Sequence, residues 1–297
     1  MGGSASYRLA KKIANARAAG ESQERIDDLE RQRQAALAAE KQKRLAAKQP
    51  ETPQEKSFKD KVNDAQTKED LLSVLNEKYS FVAPGAVTRN DIDMVKRVVT
   101  TLEELEEQYP FMKGYINGFE FTVAPGNTAA MHARYNANDG LLGQNFMFGS
   151  GWDVKDNPKM YTGNERGFAP PNQTPESIVA HEFGHAIGNV ILGKMVEKAR
   201  DKGFFDAMFL LQDIKKGKGL ENLEKRAVAS LGYKQPAAVR GKISGYAKYA
   251  KRYGSQPTNE SFAEAFADVY SNGDNASDVS KAYVNVLLEE ARNLIGG

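Results

Sequence analysis

Two of the three histidines in this 297-residue chain fall in one short run, His181-Glu182-Phe183-Gly184-His185. Histidines four apart stand one turn apart on a helix and project from the same face. Their ring nitrogens can then reach a single ion at about 2.0–2.1 Å, the usual zinc–histidine distance. Glu182, beside the first histidine, is placed to take a proton from a metal-bound water rather than to bind metal itself. The alternative, two core histidines on an apolar helix, leaves both the spacing and the intervening glutamate unexplained.

Two imidazoles leave zinc one protein ligand short. Gly188 follows His185 by three, as in the extended three-histidine pattern, but position 191 is Ile191. The remaining histidine, His132, lies far upstream. The third ligand is therefore expected to be a carboxylate on a later helix. The run Asn259-Glu260-Ser261-Phe262-Ala263-Glu264-Ala265-Phe266-Ala267-Asp268 supplies two. Glu260 and Glu264 share one helical face, and Phe262 and Phe266 form an apolar side. Carboxylates turned inward beside large apolar residues are costly unless paired or metal-bound. Glu260 is assigned as ligand. Glu264 is assigned to accept the free N–H of a ligating histidine, His181, and so to set its tautomer. The competing reading of this helix is a plain surface pair of acids.

Both segments together resemble a known family. The glutamate-ligand zincin metallopeptidases (gluzincins) of the anthrax lethal factor catalytic-domain type, and similar phage-encoded head-associated domains, carry H-E-F-G-H followed by Tyr-Gly…Asn-Glu…Phe-Ala-Glu-Ala-Phe. Here the second segment reads Tyr253-Gly254, then Asn259-Glu260, then Phe262-Ala263-Glu264-Ala265-Phe266. The resemblance spans roughly residues 90 to 270, with two short motifs as its specific part. It implies a zinc peptidase, Glu260 as the ligand that opens the Glu-x-Phe-Ala-Glu run, Tyr253 as a catalytic hydroxyl, and a phage- or virion-associated setting. His185 and Glu260 are 75 positions apart, wider than the family's interval, so residues 195 to 245 read as a helical insertion.

A phenol near the metal can donate a hydrogen bond to the oxyanion of a tetrahedral intermediate. Tyr246 and Tyr249 compete with Tyr253 for that role. With Lys248, Lys251 and Arg252 nearby, the tyrosines also have the ingredients of a nucleic-acid patch, though three charges make a thin footprint. His132 reads as a solvent-facing strand residue, with a substrate-groove role as the alternative. Gly149 and Gly151 around Ser150 read as an ordinary turn.

The chemistry expected from these parts is hydrolysis of a protein or peptide substrate, with Zn2+ as cofactor. Zinc on His181, His185 and Glu260 would activate a water, Glu182 would act as base, and Tyr253 would support the oxyanion. The strand before the active helix, 142 to 148, would bind peptide by edge pairing. A second reading makes the chain a structural virion or assembly protein whose zinc domain is not an active peptidase. A third, a secreted toxin effector, is disfavoured because no signal segment is evident at the start.

The fold expected around this site is α+β: a zincin-like domain with a small mixed or antiparallel sheet and active-site helices, preceded by a long N-terminal helix. Thr174-Pro175-Glu176 is a strong helix start, and the residues after it are apolar on most sides, as in a buried helix. Phe119, Phe121 and Val123 alternate with polar residues and predict a strand ended by Pro125-Gly126. Further strands are predicted at 131–135 and 142–148, with a loop from 149 to 173. Helices are predicted at 91–107, 260–270 and 277–294, and upstream of the first a capping pair Thr67/Asp70 opens another.

Residues 1–48 read as a basic helical arm, 49–66 as a linker opening on Gln49-Pro50-Glu51-Thr52-Pro53, and 67–297 as the catalytic-type domain. Residues 1 to 61 carry 14 Lys/Arg against 9 Asp/Glu, yet the whole chain is only +2. No global field points to nucleic acid or membrane. The apolar stripe on residues 5–48 is narrow and holds no sustained heptad, so the arm is expected either to dock on a partner or another copy, or to stand solvated. Cysteine is absent, which excludes disulfides and thiolate metal sites. No apolar run spans a bilayer and the start lacks an apolar signal segment; its small residues match only the loose myristoylation pattern. A cytoplasmic location in the producing cell is expected.

Overall fold

The computed structural model describes residues 5–46, 56–125, 129–150 and 167–295. The predicted linker opening at 49–53, Gly126, the Met1–Ser4 start and most of the predicted 149–173 loop lie outside the described residues. The chain divides into two units, residues 1–56 and 57–297.

In the first unit the expected single helix is two: α1 (Ala5–Ala18) and α2 (Gln23–Ala46). Gly20, at φ +68°, takes the left-handed conformation that only glycine adopts without strain, and the chain reverses there. The reversal brings Ile13 and Ala16 against Ile26 and Leu29, with Leu9 packed on them. A stripe too narrow to stabilise one long helix thus covers itself.

The second unit begins ten residues before the expected boundary. Within the predicted linker, α3 (Phe58–Asp64) is capped by Ser57, and its Val62 is fully buried in the main core. Next come α4 (Lys68–Lys78), opened by the Thr67/Asp70 capping box, β1 (Phe81–Val82), α5 (Pro84–Thr88) and α6 (Ile92–Gln108). On α6 the 3.6-residue period buries Met94, Val95, Val98, Val99, Leu102 and Leu105.

Strands β2 (Ile116–Pro125), β3 (Ala129–Asn136) and β4 (Gly140–Ser150) complete a four-stranded mixed sheet in the order β1-β2-β4-β3. β1 and β4 run parallel to β2, and β3 runs antiparallel to β4. Phe119, Phe146 and Phe148 converge in the core, with ring centroids 4.9 to 6.3 Å apart. The order corrects one expectation. β4 is interior, so the 142–148 strand has no free edge. The hairpin turn at 136–140 places β3 outside it, and among the described residues β3 is the edge strand.

The long helix α7 (Pro175–Lys202) packs on β3, β4 and α6. After it come α8 (Phe204–Lys215), α9 (Glu221–Ser230), two 3-10 turns, α10 (Gly245–Tyr249), a further 3-10 turn, α11 (Pro257–Asn272) and α12 (Asp278–Ile295). The extra length between His185 and Glu260 is therefore α7 itself, continued to Lys202, followed by α8, α9 and short turns. Among the described residues no helix is long and apolar enough to cross a membrane.

Candidate metal centre

Helix α7 begins where its sequence predicts. Thr174 caps it in a reciprocal box with Ser177, and Pro175 occupies the first turn, where its missing N–H costs nothing. Glu176 in that turn accepts from Arg97 Nε of α6 at 2.7 Å. Burial pushes the Glu176 carboxyl up, but its helix-start hydrogen bonds and Arg97 outweigh this and hold it below the usual carboxylate range.

His181 and His185 follow on one face, with ring centroids 4.8 Å apart. Helix α11 crosses that face at close range because Gly184 has no side chain. A Cβ there would lie 3.0 Å from both Ala263 Cα and Phe266 Cβ. The close approach brings Glu260 and Glu264, four residues apart on α11, against the imidazoles. Glu260 Oε2 lies 3.3 Å from Nε2 of His181 and 3.3 Å from Nε2 of His185. Glu264 Oε1 lies 2.9 Å from Nδ1 of His181. One ring nitrogen of His181 therefore faces Glu264, and the other faces Glu260.

His181, His185 and Glu260 form a group able to hold a metal ion, their ligand atoms all within 4.8 Å of one another. Ligands at 2.0–2.1 Å from a tetrahedral centre stand about 3.3 to 3.4 Å apart, matching both imidazole–carboxylate separations. Glu260 Oε2 is buried and has no hydrogen-bond partner among the described residues, as an atom reserved for a cation would be. The electrostatics agree. Burial disfavours charge on His181, yet the facing carboxylates of Glu260 and Glu264 outweigh it and shift its pKa well upward. Burial likewise raises Glu260, and the two facing imidazoles overturn this and hold it far below its ordinary value. The site is a field built for positive charge.

The three residues line an open cleft of about 330 Å³ with Glu182, Asn189, Tyr246, Ser255, Asn259 and Ala129–Met131 of the edge strand. Glu182 is 5% exposed, and its Oε2 is buried without a hydrogen-bond partner among the described residues. Such an acceptor has spare capacity for a proton brought by a small molecule in the cleft.

Tyr246, not Tyr253, lines this cleft. Its hydroxyl shares a 2.9 Å hydrogen bond with Ser255 Oγ, and its ring lies 6.3 Å from that of His181. Tyr253 sits outside it, 56% exposed, packed on Tyr246 and Phe168 with centroids 5.6 and 5.5 Å away. The cause is local. The backbone N–H groups of Gly245 and Tyr246 are tied to the carbonyls of Gly167 and Phe168. The helix then tightens to a 3-10 turn over Ala250–Tyr253, which carries Tyr253 outward. Tyr249 is also exposed, flanked by Lys248 and Arg252 over its ring.

His132 is exposed on β3 and pairs with Glu120 at 2.8 Å, outside the residues that line the cleft. Asn189 escaped notice in the sequence, although it stands one turn beyond His185 and so shares the ligand face. It accepts from the Tyr135 hydroxyl at 2.9 Å and donates to Gln144 at 3.1 Å, pinning this side of α7 to β3 and β4. Comparison with protein-family models, with curated proteins and with solved structures finds no match.

Proposed function

We propose that this chain is a zinc-dependent endopeptidase of the glutamate-ligand zincin type. The observation that carries the reading is the convergence of two imidazoles from α7 and one carboxylate from α11 at 3.3 Å separations. Three nitrogen and oxygen donors without a thiolate, with both imidazole–carboxylate separations at the tetrahedral value, suit zinc. Bound by His181, His185 and Glu260, zinc supplies a Lewis acid that lowers the pKa of a water and polarises a carbonyl.

The chain's own groups do the rest. Glu182 takes the proton from the attacking water and passes it to the leaving amine. The Tyr246 hydroxyl, oriented by Ser255, donates to the developing oxyanion, in the role that the family resemblance assigns to Tyr253. The outer edge of β3 pairs with the main chain of an extended substrate, and the small side chains of Ala129 and Ala130 leave room for it. Glu264 keeps His181 in the tautomer that faces the ion.

Glu182→Gln tests the mechanism. The variant is expected to retain zinc and to lose cleavage of a peptide library derived from a whole proteome. Undiminished cleavage would rule the mechanism out, and a wild type equally inert would favour the structural-protein reading. A phage- or virion-associated setting belongs to the proposal on the resemblance alone, and copurification with particles tests it.

A further inference from the structure

Glu224 on α9 is 1% exposed and accepts four hydrogen bonds on its two carboxylate oxygens. Arg240 donates twice, from Nε at 2.8 Å and from Nη2 at 2.6 Å. Thr258 Oγ1 donates at 2.7 Å and the Tyr283 hydroxyl at 3.1 Å. Arg240 Nη2 also reaches Thr258 Oγ1, at 3.3 Å. A buried ion pair is a poor device for stability alone, because desolvation offsets most of its Coulomb gain. Its better use is to hold one geometry.

The geometry held here is the start of α11. That helix has no side-chain cap at Gln256, and its first turn carries Glu260. Uncapped first turns fray, and a frayed turn would move the third ligand. Thr258 lies two residues from Glu260, on the opposite side of the same turn. Fixing Thr258 from behind therefore aims Glu260 forward. The turn between α8 and α9 makes a second contact with the same helix start, since a Cβ on Gly217 would lie 2.2 Å from Gln256 Cδ. Both contacts come from the residues that lengthen the interval between His185 and Glu260.

We infer that Glu224, with Arg240, is a positioning residue that clamps Thr258 and so preorganises Glu260 for metal. The extra helices between the two ligand segments are the brace of the third ligand. This rests on the metal reading above. The test is zinc affinity, measured by competition with a chromogenic chelator, alongside melting temperatures of the metal-free proteins.

Thr258→Val and Glu224→Gln are expected to lose zinc affinity by about 10- to 100-fold, the range for partners that orient a ligand. Tyr283→Phe removes a hydrogen bond from the same carboxylate and leaves the ring's packing on Phe262 of α11 in place. It is expected to lower the melting temperature yet bind zinc as the wild type does. If Glu224→Gln does not fold, Thr258→Val carries the test. Wild-type affinity in Thr258→Val, or an affinity that merely tracks melting temperature across the variants, overturns the inference. A wild type that takes up no zinc overturns the metal reading itself and this inference with it.

Discussion

Nδ1 of His181 lies 2.9 Å from Oε1 of Glu264, so a carboxylate on one helix sets the tautomer of a candidate ligand on another. Glu260 and Glu264 then have separable roles although they are one turn apart. Glu260→Ala should abolish stoichiometric zinc binding. Glu264→Ala should keep the ion but bind it about 10- to 100-fold more weakly. Metal analysis after dialysis decides between them, and loss of zinc from the second variant alone would reverse the two roles.

Tyr246 and Tyr253, packed on one another, give a second comparison. Tyr246→Phe should lower kcat by about 10²- to 10³-fold with little change in KM, as loss of one oxyanion donor does. Tyr253→Phe should stay close to wild type, since its ring is outside the cleft. The opposite ranking would mean that substrate draws Tyr253 inward.

The Arg97–Glu176 pair ties α6 to the start of α7 and gives a pH-dependent signature. Glu176 has a depressed folded pKa. Its contribution is complete above the unfolded carboxylate value, about 4.3, and is lost as pH falls through the folded value. Arg97→Met should therefore lower the urea midpoint of metal-free protein at pH 7 and have a smaller effect at pH 3. An equal loss at both pH values would show that the arginine acts through packing instead.

Gly184 tests the close approach of α7 and α11. Glycine inside a helix costs about 1 kcal/mol relative to alanine, which sets what the gap must return. Gly184→Val forces its side chain against Ala263 and Phe266 and should destabilise by about 1–3 kcal/mol, as overpacking does. Because the displaced helix carries Glu260, zinc affinity should fall with it. A variant that is destabilised yet binds zinc normally would show that α11 can shift without moving its ligand.

The parts of this site that are readable in the sequence are those governed by short-range geometry. His181 and His185 share a face because they are four apart, and Glu260 and Glu264 for the same reason. The Thr174 start of α7 and the Thr67 box of α4 are local rules of the same kind. What was not readable depends on the path of the chain between elements. Counting cannot tell that α10 tightens to a 3-10 turn and turns Tyr246 inward in place of Tyr253. Nor can it tell that β4 pairs on both sides and leaves the edge to β3, because alternation marks a strand and not its neighbours. The hairpin at Gly20 was hidden by strong helix formers on both sides, and α3 by its short length.

Under the proposed function, the exposed rim of β3 beside the candidate ligands has a consequence for timing. A rim that recognises main-chain amides is indifferent to most side chains. It demands a run of several residues free to lie straight, which folded bodies seldom offer. Selectivity would then reside in the state of the target rather than in its letters, and processing would begin only where a protein locally comes undone.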